Sequence, residues 1–83
     1  MYKVVWKPLA DEQAGRIWLD HPSLRDRFTE LIREIVERFK RDPLACGESR
    51  SGDTRILIEE FLVLFYDIVE GDSRVDVLAI RKI

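Results

Sequence analysis

The strongest pattern in the chain is an apolar stripe between residues 24 and 41. Its apolar side chains recur at spacings of three and four residues, and nearly all the positions between them are charged. The stripe consists of Leu24, Phe28, Leu31, Ile32, Ile35, Val36 and Phe39. This periodicity predicts one long amphipathic helix, whose apolar face must lie against another layer of the protein.

The residues before this stripe predict a strand and a shorter helix. Residues 2–7 alternate with a period of two and predict a strand, which ends at Pro8 because proline has no N–H for the sheet. Residues 9–19 carry an apolar stripe at helical spacing. The polar cluster at residues 20–23 predicts a tight turn, so we expect the two helices to form a hairpin.

The second half of the chain predicts three strands after a long loop. Residues 42–53 are rich in Gly, Ser and Asp, which is typical of a loop. Strands are predicted at 54–58, 61–69 and 74–82. The middle one is apolar on both faces apart from Asp67, which predicts the central strand of the sheet. The fold class is therefore α+β, a two-layer β-α-α-β-β-β arrangement with the helical hairpin packed on a mostly antiparallel four-stranded sheet.

Alternation along the last predicted strand divides its side chains between two faces. Val75, Val77 and Ala79 are expected on one face, with Leu78 and Ile80 on the other.

Composition narrows the class of protein. A chain of 83 residues forms one core, so residues 1–83 are interpreted as a single domain. The formal net charge of -2 argues against a generally basic, nucleic-acid-binding surface. The sequence has neither an apolar run of about 20 residues nor a signal-peptide pattern. With its single cysteine, this favours a cytoplasmic protein with no membrane partner.

Four cations are candidates for binding phosphate or an acidic partner. Arg50 and Arg55 flank the end of the long loop, and Arg81 and Lys82 end the last predicted strand. Cationic side chains, arginine above all, form strong charge-assisted hydrogen bonds with phosphates and carboxylates. The alternative is that these are ordinary surface charges, paired with nearby acids. Those acids are Glu48, Asp53, Glu59 and Asp76.

Two residues are candidates for acid–base catalysis, and two more for a partner surface. Glu48 could act as a general base beside Arg50, or it could close the loop through hydrogen bonds. Tyr66 could transfer a proton through its phenol, although a Tyr on a central strand is also typical of a packed core. Trp6 and Trp18 are expected to be half buried beside the first helix, and either would mark a partner interface if exposed.

No metal or cofactor site is predicted. His21 lies in the turn between the helices without a second His or a Cys nearby, and metal sites need several such ligands. Cys46 has no His or Asp partner in the sequence, so it is interpreted as a loop thiol rather than a nucleophile.

Six short segments, taken in order, resemble the RelE/ParE superfamily of bacterial toxins, which are partners of type II antitoxins. The resemblance covers essentially the whole chain and depends on the order and spacing of the segments. The segments are Tyr2-Lys-Val-Val-Trp6, Pro8-Leu-Ala10, Arg41-Asp-Pro-Leu44, Gly47-Glu-Ser-Arg-Ser-Gly-Asp-Thr-Arg55, Val63-Leu-Phe-Tyr-Asp67 and Val75-Asp-Val-Leu-Ala-Ile80.

The resemblance implies a toxin that is neutralised when a cognate antitoxin binds it, with the four cations converging at one end of the sheet. Some members cut mRNA in the ribosomal A site, and others inhibit DNA gyrase without cutting nucleic acid. The cutting members carry an Arg where this chain has Val63. They also have a C-terminal tail after the last strand, whereas this sequence ends at Ile83 directly after its last predicted strand. The resemblance therefore implies ParE-like gyrase inhibition or an attenuated toxin. The alternatives are a RelE-like, ribosome-dependent mRNA endoribonuclease and a non-toxic interaction module with the same fold.

Overall fold

Two helices pack on one face of a five-stranded sheet in a computed structural model, which describes residues 1–83. The elements are β1 (Lys3–Trp6), α1 (Pro8–Asp20), α2 (Arg25–Arg41), β2 (Glu48–Ser51), β3 (Thr54–Glu59), β4 (Leu62–Val69) and β5 (Arg74–Lys82). The strand order is β1-β5-β4-β3-β2, in which only β1 and β5 are parallel neighbours. The two-layer α+β prediction is confirmed, and β4 is the central strand as predicted.

The sheet has five strands rather than the predicted four. β2 lies within the segment predicted as a loop and pairs antiparallel with β3. Its residues are all polar and all exposed, so no apolar alternation marks it in the sequence. The overlooked signal is the dipeptide Gly52-Asp53, a two-residue hairpin turn in which Gly52 has a φ of 57°.

The long helix α2 supplies much of the core on the helical side. Four side chains of its apolar stripe are buried, namely Phe28, Leu31, Ile35 and Phe39. The shorter helix α1 begins at Pro8 and buries Ala10 and Ile17. The predicted packing of the stripe on the sheet is confirmed, because these side chains share one core cluster with β4 and β5. Neither helix is long and apolar enough to span a bilayer.

The two faces of the sheet differ in what covers them. The face toward the helices carries the buried side chains Leu57, Leu62, Leu64, Tyr66, Val75, Val77 and Ile80. The opposite face, called the open face below, carries Ile56, Ile58, Val63, Phe65, Asp67, Ala79 and Arg81 at alternate positions. These side chains are half-buried or exposed, and Ile58 keeps 61% of its surface accessible.

A β-bulge in the pairing of β4 with β5 reverses the alternation along β5. Val77 is the register partner of Tyr66, whereas Ala79 is the partner of Phe65 and Ile80 that of Leu64. Val77 and Ile80 therefore both face the helices, while Ala79 faces away from them. The expectation that Val77 and Ala79 share a face is wrong, because the extra residue of the bulge moves every later side chain to the other face.

Candidate functional site

Two adjacent rows of side chains cross the open face. Register pairing aligns Ile58, Val63 and Arg81 in one row. The next row contains Glu48, Ile56, Phe65 and Ala79. Each row has an apolar middle and a charged residue at one end. With neighbouring strands about 4.8 Å apart, the four strands present a surface about 15 Å wide.

The ring of Phe65 lies between two guanidinium groups. The Cζ atom of Arg81 is 5.5 Å from the ring centroid, and the Cζ atom of Arg50 is 6.0 Å from it. Both distances fit a cation–π contact, which places a positive charge near the negative face of an aromatic ring. Two cations and an aromatic ring therefore form one exposed group on the open face.

Two of the acids named above, Asp76 and Glu59, pair with cations other than the four candidates, whereas Glu48 and Asp53 form no ion pair. Nε of Arg74 donates a hydrogen bond of 2.8 Å to Asp76, and Arg38 lies 3.3 Å from Glu59. None of the four candidates has a carboxylate oxygen within 4.0 Å. The two guanidinium groups beside Phe65 are thus available to a ligand.

Arg55 lies on the other side of the sheet and stabilises the loop after α2. Its register partner is Tyr66, which faces the helices. Its Nη2 donates to the carbonyl oxygen of Leu44 at 2.9 Å and to that of Gly47 at 2.5 Å. Arg55 therefore holds residues 44–47 against the sheet rather than facing the open side.

Lys82 is also directed away from the pair of arginines. Its register partner is Leu62, which faces the helices, and its Nζ donates to the carbonyl oxygen of Ile83 at 3.0 Å. The structure therefore brings Arg50 and Arg81 together and separates Arg55 and Lys82 from them.

Tyr66 is fully buried on the helical side. Its hydroxyl donates to the carbonyl oxygen of Pro43 at 3.2 Å, and its ring centroid lies 4.4 Å from that of Phe39. Burial raises the pKa of the Tyr66 phenol, although neighbouring Arg55 acts in the opposite direction. The phenol is therefore neutral near pH 7, and it lies on the opposite side of the sheet from the two arginines.

Glu48 is the carboxylate that shares a row with Phe65. It is exposed on β2, two strands from Phe65, which corresponds to about 10 Å between their Cα atoms. The hydrogen bonds that close the loop come from Arg55, and none comes from the Glu48 side chain. Glu48 is therefore an exposed acid at the edge of the open face.

The two tryptophans lie on the helical side of the sheet, Trp6 at the end of β1 and Trp18 in α1. Trp6 is half buried and lines a groove of about 250 Å³ between the helices, together with Ala14 and Phe28. Trp18 keeps 43% of its surface accessible, and the guanidinium of Arg25 lies 4.2 Å from its ring centroid. Arg25 thus partly covers Trp18, while Trp6 borders a groove that stays open.

Neither His21 nor Cys46 belongs to a cluster of potential metal ligands. His21 ends α1, where its N–H donates to the carbonyl oxygen of Ile17 at 3.2 Å. The thiol of Cys46 donates to the carbonyl oxygen of Asp42 at 3.2 Å, and burial raises its pKa.

Sequence reasoning did not single out Phe65 or Asp67 as functional residues. Asp67 lies two positions after Phe65 on the open face, where its Oδ1 accepts a 2.7 Å hydrogen bond from the hydroxyl of Thr54. No cation lies within 4.0 Å of its carboxylate. A usable signal was present, because a strand that is apolar on both faces next to a single helical layer must leave alternate side chains uncovered.

The fold of this chain is similar to that of solved structures from bacterial toxin–antitoxin systems. No protein-family model and no curated sequence relative matches the chain. The RelBE2 toxin–antitoxin complex of Mycobacterium tuberculosis contains a similar structure, with a TM-score of 0.81, 16% identity and coverage of 99% of this chain and 91% of that chain. The isolated E. coli RelE toxin gives a TM-score of 0.72 at 15% identity, covering 99% of this chain and 84% of the toxin. The chromosomal ParDE system of P. aeruginosa gives 0.69 at 20% identity, with coverage of 100% and 97%. This chain has the fold of the RelE/ParE superfamily of toxins.

Proposed function

We propose that this protein is the toxin of a type II toxin–antitoxin module and that a cognate antitoxin neutralises it by binding the open face. The observation that carries the proposal is the exposed group of Phe65, Arg50 and Arg81 on an uncovered apolar sheet face. Apolar contacts with the sheet would provide most of the affinity, and acidic groups would pair with the two arginines. The shared fold with RelE and ParE proteins supports the toxin role.

The toxic activity is proposed to be inhibition by binding, as in gyrase inhibition by ParE-like toxins, or an attenuated form of it. RNA cleavage needs a base for the 2′-hydroxyl, an acid for the leaving oxygen and cations for the developing negative charge. Arg50 and Arg81 could meet the need for cations. Glu48 is the carboxylate without a hydrogen bond that remains for proton transfer on this face, because the Asp67 carboxylate accepts the Thr54 hydrogen bond and the Tyr66 hydroxyl is buried in the core. Loss of one proton-transfer group typically lowers a rate by about 10² to 10⁴.

The second candidate is a ribosome-dependent mRNA endoribonuclease. The observation that favours it is the alignment of Glu48 and Phe65 in one row, with two arginines beside the ring. In this case Arg50 and Arg81 would bind phosphate and Glu48 would move the proton. A non-toxic interaction module would use the same surface without any growth effect.

Expression of the gene in a bacterial host tests the proposed function. Induction alone should arrest growth, and coexpression of a DNA-binding protein encoded by the neighbouring gene should restore it. DNA breaks or the induction of a DNA-damage response would indicate gyrase as the target, and cleaved mRNA would indicate the second candidate. Replacing both Arg50 and Arg81 by Gln should weaken binding of the neutralising partner, whereas Lys82→Gln should not. Normal growth on induction, with full-length folded protein present, would contradict the toxin role.

A further inference from the structure

The open face has a charge pattern as well as an apolar surface. Along β4, Val63 shares its row with Arg81, Phe65 lies beside both guanidinium groups, and Asp67 follows. Arg50, Arg81 and Asp67 all lack an oppositely charged side chain within 4.0 Å. Beside Asp67 on β5 lies its register partner Asp76, whose carboxylate is already paired with Arg74 and Lys7. Among the unpaired charges, the surface therefore runs from positive through apolar to negative in the direction of the strand.

The spacing of these charges matches an extended peptide. Val63 and Asp67 are four residues apart on one strand, which corresponds to about 13 Å. In an extended segment laid along β4, side chains at positions i, i+2 and i+4 point to the same side. An acidic residue at i would then reach Arg81, an apolar residue at i+2 would cover Phe65, and a basic residue at i+4 would reach Asp67.

Single-stranded nucleic acid fits this face less well than a peptide does. Its binding sites combine aromatic platforms for bases with a continuous positive groove for the backbone. Here the arginines are beside the only aromatic ring of the row, and the neighbouring positions are the aliphatic Ile56 and Ala79. The carboxylates of Glu48 and Asp67 lie on the same face and would repel phosphates.

We propose that the open face binds an extended protein segment in which an acidic, an apolar and a basic residue follow one another at every second position. Arg81, with Arg50, selects the acidic residue, and Asp67 selects the basic one. This inference rests on the proposed function only in taking a protein segment as the ligand. It adds what that segment must look like and assigns a specificity role to Asp67.

Selection from a displayed library of random 16-residue peptides tests the proposal. Peptides enriched on the wild-type protein should carry Asp or Glu at i, an apolar residue at i+2 and Lys or Arg at i+4, or the reverse order for a segment antiparallel to β4, at least threefold more often than the unselected library. Asp67→Asn should remove only the basic preference, since Asn retains an oxygen that accepts the Thr54 hydrogen bond. Replacing both Arg81 and Arg50 by Gln should remove only the acidic preference. Lys82→Gln and Glu12→Gln remove a charge on the helical side and should leave the selected pattern unchanged.

Three results would overturn the proposal: no enriched peptide, enriched peptides without a charge pattern, or a basic preference that persists in Asp67→Asn. Circular dichroism of each variant shows whether it is folded. Binding of a single-stranded RNA 12-mer that falls at least tenfold in Arg81→Gln, without peptide enrichment, would assign the face to RNA instead. Growth arrest with no peptide pattern would reject this inference and leave the toxin role standing. The predicted peptide pattern without growth arrest would reject the toxin role alone.

Discussion

At the scale of single residues, Gly47 shows how closely the loop after α2 approaches the sheet. A Cβ atom at this position would lie 2.6 Å from the Tyr66 hydroxyl and still closer to the backbone oxygen of Ile56. Real Cβ atoms do not approach other atoms so closely, so the loop can dock only with glycine here. This contact brings the loop within reach of Arg55, which holds it in place.

Gly47→Ala should therefore destabilise the protein. We expect a loss of about 1–3 kcal/mol in the free energy of unfolding, because the backbone must shift to make room. The matched control is Gly15→Ala in α1, where an added Cβ atom meets nothing within 4 Å. This variant should gain about 0.5–1 kcal/mol in the free energy of unfolding, because alanine favours the helix over glycine. Urea denaturation measures both, and equal stability of the two variants would show that the loop is not docked as described.

Tyr66→Phe separates a structural from a catalytic role for this residue. The substitution removes the hydrogen bond to Pro43 while keeping the ring, so it should cost about 0.5–1.5 kcal/mol of stability. Growth arrest on induction should be unchanged after correction for protein level. A variant that is stably folded but no longer toxic would show that the Tyr66 hydroxyl has a functional role.

At the scale of secondary structure elements, hydrophobic periodicity predicted the elements that bury an apolar face in the core. It missed the exposed strand β2 and the bulge in β5. The stripe of α2 and the two-sided apolar pattern of β4 were both evident, because burial imposes them. β2 was missed because an exposed edge strand has no buried face to impose a pattern. The bulge in β5 was missed because it depends on pairing with β4, which the sequence of β5 does not encode locally.

Substitutions in α2 test its packing on the sheet. Phe28→Ala and Ile35→Ala should each cost about 2–5 kcal/mol, since each leaves a cavity in the core. Arg33→Ala removes an exposed side chain of the same helix and should change stability by less than about 0.5 kcal/mol. Chemical denaturation gives all three values. Losses below 0.5 kcal/mol at both core positions would mean that the stripe is exposed.

The pair of Arg74 and Asp76 at the start of β5 predicts a dependence of stability on pH. The hydrogen bond from Arg74 holds the pKa of Asp76 below its ordinary value of roughly 3.9. The unfolded chain therefore takes up this proton more readily. The stability from the pair is present above pH of roughly 4 and is lost as the pH falls through the folded-state pKa.

Asp76→Asn should accordingly lower stability at pH 7 and flatten the loss of stability between roughly pH 4 and 2. Urea midpoints measured across this range, compared with those of the wild type, give the difference. An identical acid slope in the two proteins would show that Asp76 keeps an ordinary pKa.

At the scale of the whole molecule, one helical layer on a sheet leaves the other face free for a ligand. The candidate cations were predictable from residue type, but the two that share a site were not. Arg81 and Lys82 are neighbours in sequence, and the bulge in β5 decides which of them reaches the open face. Arg50 and Arg55 also lie on opposite faces of the sheet. Arg55 pairs in register with Tyr66, which faces the helices.

We propose that this protein acts by binding and does not cleave RNA efficiently. The measurement that tests it most directly is a reaction with translating ribosomes, in which mRNA ends are mapped by primer extension. We expect no cuts above background, with an active RelE toxin as the positive control. Cuts in phase with codons that disappear in Glu48→Ala or Arg81→Ala would contradict it and establish the endoribonuclease in its place.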